Sequence, residues 1–228
     1  MLYVVSTPIG NLKDITLRAI ETLKSCKFVL CEDTRVSSHL LREYEITTPL
    51  ISFNAHSEDK KIPYLLERML NGEDAALITD AGTPAISDPG IRLVSAALDA
   101  GIKVTPVPGA SALLSALVVA GFPTDSFVFE GFLPQKKGRQ KLLKELSTEK
   151  RTIVLYESPY RILKLLEELK EYMPTRRIAV VREITKKFEE TVRGLPEELF
   201  NYFTTNTLKG EFVIVLDSLS NKQQQDEI

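Results

Sequence analysis

Several things are scarce in these 228 residues. No stretch of about 18 consecutive apolar residues occurs, so nothing reads as a membrane span. The opening segment, MLYVVSTPIG, is too short and lacks the charged start of a secretion signal. Two cysteines, Cys26 and Cys31, and two dispersed histidines make a poor metal set. The cysteines therefore read as core thiols in the reducing cytoplasm. Excess charge is missing too: 29 basic against 31 acidic residues leave a net charge of −2. That removes any general attraction to nucleic acid or anionic lipid, and a polyanion contact has to be local. Neither GxxxxGK[ST] nor a GxGxxG after the first strand is present, which disfavours a conventional nucleotide or dinucleotide site.

What remains is an ordinary globular composition, 43% apolar and 26% charged, long enough for one large or two small domains. Apolar runs alternate with helical patterns. LYVVS (2–6), KFVLCE (27–32), PLISF (49–53), DAALIT (74–79) and KVTPV (103–107) read as strands. Between them lie helical patterns: 14–25 opening at Asp14, 37–44 with Ser37 as cap, 57–72, a helix from Asp88 and Pro89 to Gly101, and 109–121. Five strands with helical crossovers imply a mainly parallel sheet covered on both faces. After residue 122 the pattern changes: strands at 125–132, 151–158, 176–184, 188–194 and 210–217, with one amphipathic helix at 160–173. The short spacing of the middle pair favours antiparallel pairing, hence a mixed sheet. The expectation is an α/β protein of two domains, 1–120 and 121–228, hinged near Ala120–Phe122, with a polar tail frayed from about residue 219.

Four strand ends carry unusual loops: STPIGN (6–11), CEDTR (31–35), TDAGTPAISDPG (79–90) and PVPGASA (106–112). In open α/β sheets ligands sit beyond the carboxyl ends of the strands. Glycine lets backbone approach a ligand and proline fixes the loop that holds it. One such loop is an ordinary tight turn; four at equivalent ends point to a binding cleft. Ser111, after Pro108-Gly109, is placed to present backbone N–H groups to an anionic group.

The ordered set STPIGNLKDIT, EDTR, TDAGTPAISDPG, VPGASA, EGFLP, YESPYR, REITK and KGEFVIV resembles the ribosomal RNA small-subunit methyltransferase I family, over nearly the whole chain. The resemblance implies the tetrapyrrole-methylase fold, with a cofactor cleft between the two domains. It also implies S-adenosylmethionine as methyl donor, 2′-O-methylation of a cytidine ribose in the decoding region of 16S rRNA, and a cytoplasmic homodimer. Where the wider fold uses a Gly-Asp-Pro stretch, this chain has Gly82-Thr83-Pro84, with Asp80 as the replacement carboxylate. Pro8 stands in a first loop that departs from the fold's glycine-rich version. Ile86, Ser111, Ala112, Tyr156, Glu157 and Thr185 complete the cofactor set implied. Some family members carry a further small C-terminal domain, and RNA contacts made by it are expected to be absent or replaced here.

Removing the proton of a ribose hydroxyl needs a base, or a cation that favours the alkoxide. Candidates are Glu32, Asp33 and Arg35; His56; Glu157 and Arg161; Arg182, Glu183 and Lys186. The catalytic set taken from them is Asp33, Arg35, Glu183 and Lys186, with Arg35 and Lys186 also suited to phosphates. An arginine beside a carboxylate is equally the usual structural ion pair, so each cluster reads both ways. PQKKGRQKLLK (134–144) has five basic residues and no acid. It reads either as a solvated helix start or as a mobile arm gripping RNA through Lys136, Lys137, Arg139 and Lys141, with Arg161 beside it. Two rival functions stand: a methylase of a tetrapyrrole or other small acceptor, and a non-catalytic cofactor-binding factor of the ribosome.

Overall fold

The structure, a computed structural model, describes residues 1–206 and 208–219. It forms two compact units, Met1–Ser111 and Ala112 onward. The reading of a frayed tail falls on residues 220–228, outside the described residues. Leu219 still donates its N–H to the Lys150 carbonyl at 3.0 Å.

The first unit holds β1 (Leu2–Val5), β2 (Phe28–Cys31), β3 (Leu50–Ser52), β4 (Ala75–Leu77) and β5 (Val104–Val107). They lie in the order β3-β2-β4-β1-β5, every pair parallel. Alternation along each strand divides the core. Leu2, Phe28, Leu30 and Leu77 face one side with Leu65 of α3 (Glu58–Leu70) and Leu93 of α4 (Ile91–Asp99). Val5, Val29, Cys31 and Ala76 face the other with Leu23 of α1 (Leu17–Ser25) and Leu41 of α2 (Thr34–Glu43).

Three helix starts differ from expectation. α1 is capped by Thr16, whose hydroxyl accepts the Ala19 N–H, while Asp14 belongs to a short 3-10 turn before it. α2 is capped by Asp33, and Ser37 lies buried inside it. α4 is preceded by Gly90 at φ 126°, not capped by Asp88. A side chain at 90 would put Cβ 2.7 Å from Leu77 Cδ2, so the chain turns there on a residue without one.

The second unit has α5 (Ala112–Ala120), then β6 (Phe127–Phe132), α6 (Arg139–Ser147), β7 (Thr152–Glu157), α7 (Ile162–Tyr172), β8 (Ile178–Arg182), β9 (Glu190–Gly194), α8 (Pro196–Thr205) and β10 (Phe212–Leu216). The strand order is β6-β7-β10-β8-β9, with β6–β7 parallel and the others antiparallel. Val154, Ala179, Val181, Val213 and Val215 pack on α5 residues Ala116, Leu117 and Ala120. The opposite face, with Ile153, Leu155, Val180 and Ile214, is covered from α6, α7 and α8 by Leu143, Leu165 and Phe203. α8 has no counterpart in the sequence reading. Its marks are Pro196 at the first position and Glu197 and Glu198 in the first turn, which suit a helix N-terminus.

Candidate functional site

In the first unit the loops leaving β1, β4 and β5 lie side by side, because those strands are neighbours in the sheet. Hydrogen bonds lock them together. Thr7 N–H donates to Gly82 O at 2.8 Å, and Gly82 N–H returns to Thr7 O at 3.1 Å. The Thr7 hydroxyl donates to Thr79 O at 3.0 Å, Ser6 and Thr83 hydroxyls meet at 3.0 Å, and the Thr83 hydroxyl reaches Ala110 O at 3.4 Å. Gly82 is buried at φ 86°, and a Cβ there would lie 3.3 Å from Ile9 Cγ2. A Cβ on Gly109 would lie 3.0 Å from that of Ser6. These glycines therefore bring loop onto loop at this corner. Past Gly82 the chain holds Ala85 and Ser87 in the left-handed region, at φ 68° and 62°. Such strain persists only where the surroundings over-determine it. The rigidity of this segment is thus a rigidity of three loops together. Pro8 is buried among them, and Asp80 and Ile86 stay exposed.

Four carboxylates gather at the ends of β2 and β4. Asp80 Oδ1 accepts the Asp33 N–H at 3.2 Å. Asp33 caps α2 by accepting the Arg35 N–H at 2.8 Å and is gripped by that guanidinium at 2.5–3.2 Å. The Arg35 hydrogen bonds push its carboxyl down to about 2. Burial raises the Glu32 carboxyl, with Asp80, Asp88 and Asp33 adding to the effect. Burial raises Asp88 as well, against a hydrogen bond from Thr79. A proton acceptor needs a carboxylate not already held anionic by a partner. Of the two acids singled out from sequence, Asp33 fails that requirement, and its neighbour Glu32 meets it.

In the second unit Glu183 fares like Asp33. Burial acts to raise it, but hydrogen bonds from Lys186 Nζ (2.9 Å) and the Glu211 N–H (3.1 Å) leave it lowered. Lys186 also reaches Glu211 at 2.8 Å. Arg35 and Lys186 are thus each committed to carboxylates. The turn after β8 is strained, with Glu183 at φ 52° and Thr185 at φ 66°. The Thr185 hydroxyl is buried without a hydrogen-bond partner. Tyr156, half-buried, meets Phe129 and Phe132 edge to face at 5.0 and 5.7 Å.

Two residues of the expected RNA set are engaged by the protein's own groups. Arg139 is 3% exposed, donating Nε to both Glu168 oxygens at 2.8–2.9 Å and Nη1 to Pro134 O at 3.1 Å. Arg161 reaches Glu157 at 3.2 Å and donates to Leu133 O at 2.6 Å. The Glu157 carboxylate, expected at the cofactor, is buried between these arginines, 3.8 Å from Arg139, and burial raises it. Within 134–144, residues 135–138 form bends and a turn, and α6 begins at Arg139. Lys136, Lys137 and Lys141 remain exposed. His56 is exposed as well, with no hydrogen bond or ion pair among the described residues. Among the described residues, no group of His, Cys, Asp and Glu is arranged to hold a metal, and no helix is long and apolar enough to cross a membrane.

Residues 1–199 match the family model for tetrapyrrole (corrin/porphyrin) methylases. Among curated proteins, the chain is 46% identical to "Ribosomal RNA small subunit methyltransferase I" of Synechocystis sp., covering 100% of this chain and 85% of that one. The protein of the same name from Thermotoga maritima is 46% identical, covering 94% and 97%. Its Bacillus subtilis namesake is 42% identical, covering 100% and 78%. Among solved structures, a cobalt precorrin-4 methyltransferase superposes with a TM-score of 0.71 at 20% identity, covering 95% and 94%. Uroporphyrin-III C-methyltransferase of Thermus thermophilus, solved with S-adenosylhomocysteine, does so with 0.65 at 20%, covering 94% and 96%. The parallel and mixed sheets with their interlocked strand-end loops, and identity along the full chain, agree: the chain belongs to the tetrapyrrole methylase family, in the branch whose curated members are ribosomal RNA small subunit methyltransferases I.

Proposed function

We propose that this chain transfers a methyl group from S-adenosylmethionine to the 2′-hydroxyl of a cytidine ribose in 16S rRNA. The observation that carries this is identity of 42–46% over essentially the full chain to relatives named for that RNA. The loops of the first unit fit such a cofactor. Their backbones are packed until a Cβ on Gly109 would strike Ser6, which fixes the edge they present. Asp80 and Ile86 offer a carboxylate and an apolar surface at that edge. In this reading Pro8, Asp80, Gly82, Thr83, Ile86 and Ser111 hold the cofactor. Thr185, with an unused buried hydroxyl, Ala112 and Tyr156 are the second unit's candidates.

S-adenosylmethionine, when bound, supplies an electrophilic methyl on a sulfonium. The residues above would hold it, and their fixed backbones would supply the positioning that such a displacement requires. Glu32 accepts the proton of the ribose hydroxyl; its carboxyl has no stabilising cation among the described residues and is raised by burial and neighbouring acids, as suits a base. Asp33 keeps Arg35 and the start of α2 in place. The protein works as a cytoplasmic homodimer in the same reading, which light scattering on the purified chain tests.

The deciding experiment incubates purified protein with labelled S-adenosylmethionine and small subunits from cells lacking it, with naked rRNA and a tetrapyrrole precursor in parallel. Label on one cytidine ribose of the subunit is expected. Label on the tetrapyrrole alone, or on no acceptor while cofactor binds, overturns the proposal.

A further inference from the structure

We propose that a pocket between the start of α6 and α7 anchors a phosphate of the RNA backbone. The inference rests on the reading of the chain as an RNA methyltransferase and assigns that substrate a second foothold. The pocket has a volume of about 350 Å³, at the lower end of the roughly 300–1,000 Å³ of small-ligand sites. Lys136, Gly138, Arg139 and Lys141 line it from the α6 side, Lys164 and Glu168 from α7, and two glutamines complete the wall.

Charge pairing divides these residues. Arg139 Nε donates to both Glu168 oxygens at 2.8–2.9 Å, and the two charges offset one another at the base of the pocket. Lys141 touches Glu145 only at 3.7 Å, with both side chains exposed, a pairing that counts for little in water. Lys136 and Lys164 have no ion-pair partner among the described residues. Three ammonium groups thus surround an opening whose carboxylate is already taken.

The helix start shows the same bias. α6 begins after Gly138 at φ 86°, with no side-chain cap and no acid in its first turn. Its first turn carries Arg139 and Lys141 instead, opposite to what the helix dipole favours, which leaves this end suited to an external anion. Arg139 Nη2 lies 2.6 Å from Glu168 and 3.8 Å from Glu157, so this guanidinium stays with the protein's own acids and leaves the lysines to face the opening. The lining contains no aromatic ring. Base stacking is therefore excluded, and the site reads backbone charge without regard to sequence.

The test measures binding of a fluorescein-labelled small-subunit rRNA transcript by anisotropy across a salt series. It compares the wild type, K136A/K164A, and K144A/K150A as a control outside the pocket. Removing two ammonium groups that each neutralise a phosphate charge should weaken binding about 25- to 60-fold at 0.1 M salt and flatten the log–log salt slope by about 1.4–1.8. S-adenosylhomocysteine affinity, read by calorimetry, should stay unchanged, and the control should shift far less. A double variant with the wild-type slope overturns the pocket while leaving the methyltransferase reading intact. A wild type that neither binds nor methylates the RNA overturns that reading, and the pocket with it. If the pair is needed to hold polyglutamate of matched charge but not RNA, the occupant is an acidic protein segment and the proposal is wrong.

Discussion

Gly82→Ala probes how the strand-end loops hold together. A side chain at φ 86° costs about 1–2 kcal/mol for an L-residue. The new Cβ would sit 3.3 Å from Ile9 Cγ2, and Ile9 is 5% exposed, so it has little room to yield. The two backbone hydrogen bonds between Thr7 and Gly82, each worth about 1 kcal/mol, are the first to loosen. Alanine should therefore destabilise this corner by about 2 kcal/mol, and valine by about 3–5 kcal/mol as further methyls overpack it. Amide exchange reads the corner directly: 2 kcal/mol corresponds to roughly 30-fold faster opening at Thr7. Calorimetry with S-adenosylhomocysteine should show weaker binding in step with that opening. If Gly82→Val abolishes binding while Thr7 stays protected, the glycine serves to leave space for the ligand, and the interlocking argument fails. If Gly82→Ala changes neither, the loop is not where the cofactor is held.

Glu32→Gln should lower the methylation rate by at least 100-fold with cofactor affinity retained, and should remove the acid limb of the rate–pH profile. Equal loss from Asp33→Asn, with Glu32→Gln active, would reverse the assignment. Asp33 itself sits at about 2 against an ordinary 3.8. Its stabilising contribution is complete above pH 3.8 and disappears as pH falls toward 2, so the melting temperatures of wild type and Asp33→Asn should converge at that end. Arg176→Met should cost about 3–5 kcal/mol in urea unfolding. It strips the donor from the carbonyls of Asp217, Leu146 and Arg151, all within 2.6–3.1 Å of a guanidinium that is 1% exposed, and an orphaned buried acceptor costs about 1–3 kcal/mol. Near-wild-type stability would mean that water replaces the guanidinium.

Every strand was legible in the sequence, most as short apolar runs bounded by turn residues and β9 (ETVRG) by its short spacing from β8, and the alternation of Leu2 against Val5 or Leu30 against Val29 assigns faces. Legibility ends where long-range pairing decides. Arg139 reads as one more basic residue in a basic run, because the acid that buries it, Glu168, lies 29 residues onward. Glu32 and Asp33 are indistinguishable as neighbours in CEDTR until Arg35 is seen to close on one of them. Lys164 carries no signal at all, being a single lysine on the polar side of an amphipathic helix. α8 was missed despite its Pro-Glu-Glu start, since PEELFNYFTT has aromatic residues that suit a strand equally well.

The order β6-β7-β10-β8-β9 bears on how the chain is made. The first sheet has all its strands once residue 107 has left the ribosome, so it can close during synthesis. The second cannot: β10, its middle strand, follows β9 and α8 in the chain. Until residues 212–216 emerge, β7 and β8 each keep an apolar edge unpaired, and such edges recruit other chains. The nascent protein must therefore carry a finished domain and an unfinished one together, and its yield should depend on chaperones acting on the second half alone.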